Sequence, residues 1–198
     1  MHHSSDIKGV FAKGFTLLEL IIVIGIIAVL GTVSVLVLNP GQLFAQARDT
    51  TRISDLASIS SAIGLYLSSV SSPNLGAGVG FTCGTNWGSS DASATTKKFL
   101  TTSGALAHGG VASTTGTGWV AIDFTQITGG SPLSVLPKDP TNTDTYNYQY
   151  ACNSTNQTYE LDAKMESTRY SNGGSDDKES TDGGDNGTEY EKGSSLTL

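Results

Sequence analysis

Hydrophobic residues are concentrated at the start of the chain. Residues 1–14 (MHHSSDIKGVFAKG) are mostly polar, with Lys8 and Lys13 opposed only by Asp6 among charged groups. From Phe15 the sequence becomes FTLLELIIVIGIIAVLGTVSVLVL, and the 19 residues from Leu20 to Leu38 carry no charge. At about 1.5 Å per residue, a helix of that length nearly crosses a hydrocarbon core. The pattern then changes. Pro40 lacks a backbone donor and disfavours helix at Asn39, which predicts a kink or short break over residues 38–41. Asn39, Pro40 and Gln42 also match a helix start, with an Asn cap, Pro first and Gln third. Helix is expected to resume to about Val70. Ile53, Leu56, Ile59, Ile63, Leu67 and Val70 recur at three- and four-residue steps, forming one apolar stripe. Arg48, Asp49, Arg52 and Asp55 are expected on the solvated face, exchanging weak i,i+3 pairs.

Residues 71–118 are rich in Gly, Ser, Thr and Asn and have little periodicity, so they are expected to form loops. The run Gly76–Gly80 lacks the strand, helix and spacing of a nucleotide-binding turn. Val120, Ile122 and Phe124 alternate with Ala121 and Asp123, predicting a half-buried strand that starts at Trp119. Tyr146, Tyr148, Tyr150 and Cys152 share one face. After a turn at residues 153–156, Tyr159, Leu161, Ala163 and Met165 share another, with charged residues between them. That is an antiparallel hairpin with one buried face. The expected fold class is α+β: a long helical spine, membrane-spanning in its first half, packed on a small antiparallel sheet. The divisions are 1–14, 15–38, 39–70 and a head over 71–198.

Composition narrows the function. Charged residues make up only 15% of the chain and the net charge is −7, which argues against nucleic acid, whose phosphates require clustered Lys and Arg. The acids gather late: residues 160–192 hold ten Asp/Glu against four Lys/Arg. By composition the tail from Ser171 reads as a disordered or solvated acidic loop. Cys83 and Cys152 have no metal-ligand spacing. In an exported chain they most simply form one disulfide, with two separate buried thiols as the alternative. No Walker loop, G-x-S-x-G or H-E-x-x-H occurs. His2 and His3 lie in the leader, and His108 stands alone beside two glycines. The chain is expected not to be an enzyme.

Glu19 decides between readings of the apolar segment. A secretory signal has a shorter apolar stretch and a small-x-small cleavage site, and a plain anchor leaves the acid unexplained. A carboxylate within an apolar helix costs about 2.5–3.5 kcal/mol when central on insertion scales, less near an end. Cutting between Gly14 and Phe15 would create an amine one helical turn before Glu19. That amine, or a neighbouring subunit's, would meet the carboxylate, which also complements the helix dipole.

Lys13-Gly14-Phe15-Thr16-Leu17-Leu18-Glu19, followed by the Ile/Val/Leu-rich helix, resembles the class III signal of type IV prepilins and type II secretion pseudopilins. The resemblance covers residues 13–38 closely and the rest only generally. It implies the type IV pilin fold, cleavage after Gly14 by a prepilin peptidase, N-methylation of Phe15, and Glu19 setting register during assembly. Many type IV pilins carry a proline near the middle of this helix; here the stretch around Val35 and Leu36 has none, and Pro40 comes later. The implied partners are copies of the chain itself, the peptidase/methyltransferase, an inner-membrane assembly platform and, before assembly, the membrane. Leu136-Pro137-Lys138-Asp139-Pro140 is similar to the loop before the sheet in major pseudopilins. Those proteins hold calcium in a C-terminal loop, which makes Asp176, Asp177, Asp182 and Asp185 candidate ligands, Asp182 and Asp185 foremost. The expected function is the major subunit of a type IV pilus for attachment, motility or DNA uptake. The alternative is a major pseudopilin of a secretion system. The expected location is the inner membrane as a precursor with its head outside the cytoplasm, then the extracellular filament.

Overall fold

The computed structural model describes residues 14–198, so the predicted leader lies outside the described residues except for Gly14. The fold is α+β. Helix α1 spans Leu17–Leu38 and α2 spans Pro40–Ser69. Strands follow at Trp87–Ser89 (β1), Leu106–Gly109 (β2), Tyr148–Asn153 (β3), Thr158–Ala163 (β4) and Tyr190–Gly193 (β5), with a single 3-10 turn at Phe124–Gln126. The chain divides into two compact units between Pro40 and Gly41.

Asn39 separates the helices, but not as an N-cap. Its φ of 40° and ψ of 73° are left-handed, the geometry that closes a preceding helix. Gln42 does not reach back to it either, because its Oε1 accepts hydrogen bonds from the Thr168 backbone N–H and hydroxyl instead. The predicted break is therefore a C-terminal cap on α1, with Pro40 opening α2.

In the second unit the stripe on α2 buries Leu56, Ile59, Ala62, Ile63 and Tyr66. They pack into one cluster with Trp119–Ile122, Tyr148, Tyr150, Leu161 and Ala163. The sheet order is β2-β1-β3-β4-β5. Pairs β1/β3, β3/β4 and β4/β5 are antiparallel, but β1 and β2 run parallel, so the sheet is mixed rather than wholly antiparallel. The Gly/Ser/Thr-rich region expected to be loop supplies both of those strands.

The segment from Trp119 is not a strand. Trp119, Val120, Ala121 and Ile122 are all fully buried, which alternation on a half-buried strand cannot produce. They form an irregular layer over β1, where a Cβ on Gly88 would overlap the Trp119 carbonyl oxygen, so only glycine admits this approach. The β3–β4 hairpin forms with the expected pairing, Cys152 opposite Tyr159. Its second face is buried too: Gln149, Glu160 and Asp162 are at most 1% exposed. That face is covered by a smaller cluster of Trp87, Ala94, Phe99 and Ala151 with Leu198 against it. The acidic tail is likewise built in. It ends in β5, and Glu179, Glu189 and Glu191 are buried. His108 serves structure, with Nδ1 2.9 Å from the Gly118 carbonyl oxygen and its ring edge-on to Phe81.

Candidate processing and assembly segment

Gly14, Phe15 and Thr16 precede α1 and are non-helical. Thr16 is extended (φ −80°, ψ 150°) and caps the helix by accepting the Glu19 N–H at 3.2 Å. Thr16 and Glu19 thus occupy the cap and third positions of a T-x-x-E box, a signal present in the sequence but missed there. The Thr16 hydroxyl lies 3.5 Å from the Glu19 carboxylate, at the outer limit of hydrogen bonding. Glu19 therefore stands in the first turn, where a negative charge meets the positive end of the helix dipole.

The bond between Gly14 and Phe15 is open to an outside agent. Phe15 is 80% exposed, and a Cβ placed on Gly14 would meet nothing within 4 Å. No crowding among the described residues calls for glycine there.

The 22 residues of α1 rise about 33 Å. Leu17–Val35 is apolar and long enough to cross a membrane, with a mean hydropathy of 2.6, and none of it is buried. Its hydroxyls are satisfied within the helix: Thr32 donates to the Val29 carbonyl and Ser34 to that of Leu30, each at 2.8 Å. Glu19 is its sole charge. Gly25, Ala28 and Gly31 are small and recur every three residues, and Ala28 and Gly31 join Ile27, Thr32 and Val35 in a shallow groove. Cβ atoms on Gly25 and Gly31 would meet nothing within 4 Å. A glycine inside a helix costs about 1 kcal/mol, so these two return nothing to the isolated chain.

The family model for the prokaryotic N-terminal methylation motif matches residues 11–35. This segment is a class III signal peptide, the kind carried by type IV pilins and pseudopilins. Of the matched span, Phe11, Ala12 and Lys13 lie outside the described residues. No curated protein and no solved structure matches the chain. The class III signal implies processing by a prepilin peptidase and assembly into pilus-like filaments, and together with α1 it suits a membrane-anchored precursor. Its bearers are structural proteins rather than a class of enzymes.

In the second unit the charges on α2 depart from expectation. Arg52 is fully buried and all five of its N–H donors are taken. Nε and Nη2 fork onto Asp139 at 2.6 and 2.9 Å, Nη2 also reaches the Thr141 hydroxyl at 3.1 Å, and Nη1 serves Asp49 at 2.8 Å and Glu166 at 3.4 Å. The buried Asp49 carboxylate also accepts the N–H groups of Glu166 and Ser167, both at 2.8 Å. Burial disfavours the Arg52 charge, but Asp139 and Asp49 outweigh it and hold the guanidinium more firmly protonated. Arg48 pairs with Glu166, and that hydrogen bond holds the Glu166 carboxyl below its usual range. Asp55 accepts the Tyr148 hydroxyl at 2.8 Å, and burial raises its pKa. Asp49 and Arg52 are buried while Arg48 and Asp55 are half-buried, so the solvated-face reading fails at the two central charges. Periodicity hid the network because two of its partners, Asp139 and Glu166, lie about 90 and 115 residues away.

Cys83 and Cys152 are disulfide-bonded across a sequence separation of 69, tying β3 to the loop before β1. Asp182 lies beside β5, where its carboxylate accepts the N–H groups of Gly184 at 2.9 Å and Glu191 at 2.6 Å. Asp185 is exposed. Asp176 pairs with Lys178 and Arg169, and Asp177 caps a turn through Ser180 and Gly173.

Proposed function

We propose that this chain is the major subunit of a type IV pilus. It is cleaved after Gly14, methylated at the new amine of Phe15, and polymerised through α1 into a filament for attachment, motility or DNA uptake. One observation carries the reading: a fully exposed apolar helix whose only charge stands in its first turn, beside an exposed cleavage segment. A helix of this kind belongs in lipid or among copies of itself. Leu43 and Phe44, in the first turn of α2, are exposed as well.

Before assembly the helix resides in the inner membrane with the head outside the cytoplasm, held by Lys8 and Lys13. In the filament α1 packs in a bundle of identical helices, and Gly25, Ala28 and Gly31 let backbones approach. Glu19 neutralises the Phe15 amine of its own or an adjacent copy. In the segment at residues 136–140, which is similar to the loop before the sheet in major pseudopilins and favours the alternative reading, Asp139 accepts the Arg52 fork.

Shearing intact cells and imaging the released material tests the proposal. Long fibres containing this chain, with Phe15 as a methylated N-terminus by mass spectrometry, are expected. A mature chain retaining residues 1–14 would refute processing. Processed chain found only in short periplasmic assemblies would turn the reading to a pseudopilin.

A further inference from the structure

We infer that Glu160, Asp162 and Glu191, on the second face of the sheet, form a binding site for calcium. Its residues differ from the acidic-loop pair Asp182 and Asp185, which lies beside it, and it does not depend on the pilus proposal. Asp162 on β4 pairs directly with Glu191 on β5. Glu160 lies two residues back along β4, on the same face. One carboxylate oxygen from each lies within 4.8 Å of the others. Ligands sharing one calcium ion at 2.3–2.6 Å are at most about 5 Å apart. Like charges directly opposed across a strand pair are destabilising by themselves.

Burial makes the arrangement unusual. The three residues are 0–2% exposed. Both carboxylate oxygens of Asp162, and Oε1 of Glu191, have no hydrogen-bond partner among the described residues. The neighbouring donors are committed elsewhere. Gln149, opposite Asp162 on β3, gives its amide to the Thr96 carbonyl and Asn147. Lys98 binds Glu189 at 2.8 Å, and Lys164 lies 3.6 Å from the same residue. Lys98 also favours the charged form of Asp162 from a distance, but one lysine held by Glu189 does not balance three carboxylates. Gly184 lies so close that a Cβ there would overlap the Glu191 carboxylate.

Two remedies exist for such a cluster: protons or a cation. Burial, reinforced by the neighbouring carboxylates, pushes Asp162 well above the ordinary range and Glu191 up to about 8. The donor set is all oxygen, with neither His nor Cys, which selects a hard cation over zinc or copper. Magnesium retains most of its water and fits a dry cluster poorly, whereas calcium accepts several carboxylate oxygens in flexible geometry. An ion here would clamp β5 to β4. It would also secure the chain end, whose Leu198 N–H donates to Glu160 at 2.6 Å.

The test uses the full chain in detergent at pH 7.5, compared in chelator, calcium chloride and magnesium chloride. Calcium at a hundredfold excess over Kd should raise the head's Tm by roughly 5–11 °C and slow amide exchange in β5. Asp162→Asn removes one ligand and also some repulsion. It should be more stable than the parent in chelator and less stable in calcium, a reversal of sign. Calorimetry on the parent gives the same answer if the variant fails to fold, and Glu191→Gln serves as the second variant. A Tm indifferent to calcium, a response to magnesium alone, or Asp162→Asn being more stable in both conditions would overturn the site and leave a protonated cluster.

Discussion

Replacing Arg52 with Met keeps much of the side-chain length but removes the charge and all five donors. Asp139 Oδ2 then loses the one hydrogen bond it makes among the described residues, while Oδ1 keeps the N–H groups of Thr141 and Asn142. Asp49 keeps two backbone N–H groups but not its cation. Two carboxylates that were fully buried around a guanidinium are left facing each other. Breaking a buried pair from one side costs about 3–5 kcal/mol, a large share of the roughly 5–15 kcal/mol that holds a domain. For a unit of this size Tm should fall by roughly 6–20 °C. Near-UV circular dichroism of the full chain in detergent reports on the head, because Trp119 and Tyr148 are buried with ring centroids 6.0 Å apart. Arg52→Lys keeps a charge but not the planar fork, and should fall between. Arg52→Met with Asp139→Leu should recover part of the loss, since an apolar replacement of a whole buried pair is often neutral. A loss for Arg52→Met under about 1 kcal/mol, the range of exposed pairs, would refute the reasoning.

Acid should loosen the same region. Glu166 has a depressed pKa when folded because Arg48 bonds its charged form, so its contribution is present above the ordinary carboxylate range and fades as pH falls through its folded value. Arg48→Met should flatten that part of a Tm-against-pH curve, and an unchanged curve would contradict the assignment. Reducing the Cys83–Cys152 bond should cost about 4 kcal/mol on the chain-entropy model for a separation of 69; chemical denaturation with and without reductant measures it. Gly31→Leu should leave the chain inserted in membranes but lower its yield in sheared filaments several-fold, and normal yield would show that the small residues of α1 are not at a helix contact. Gly14→Val should leave the leader attached, and mass spectrometry finding Phe15 as the N-terminus would contradict that.

The elements easiest to read in the sequence were those whose information is local. The uninterrupted apolar run, the stripe from Leu56 to Ile63 and the alternation in the β3–β4 hairpin all fix geometry through near neighbours. The misreadings share the opposite property. Arg52 has a charged residue's usual claim to solvent, and only the arrival of Asp139 and Glu166 from distant loops reverses it. Val120, Ile122 and Phe124 alternate with Ala121 and Asp123 as a strand would, yet Trp119–Ile122 is packed on every side and so needs no solvent face. The tail has the composition of a solvated loop, but Asp182 and Glu179 spend their carboxylates on turns and strand contacts within the head, and Glu191 is buried in β5. In the processing segment, the order Gly14, Phe15, Glu19 before the apolar run is local, and the family model matches the same stretch at residues 11–35. The capping role of Thr16 was equally local and was passed over.

The two units meet the cost of burying charge in different ways. Inside the head, Arg52 is surrounded by acids within its own chain, so the head is electrostatically complete there and has no need of a second copy. Helix α1 is incomplete: its apolar surface is fully outward and Glu19 has no cation within the helix. Moving α1 from lipid into a bundle of copies exchanges one apolar environment for another, so hydrophobic burial contributes little to the difference. On the proposed assembly, what would distinguish the two states is close backbone packing at the small residues and a carboxylate meeting the amine exposed by cleavage. Glu19→Val should therefore separate the steps. The variant should insert and be processed like the parent, since neither step needs the acid, yet enter filaments poorly. If Glu19→Val assembles at parental yield, the amine and carboxylate do not pair during growth, and packing at Gly25, Ala28 and Gly31 must supply the whole preference.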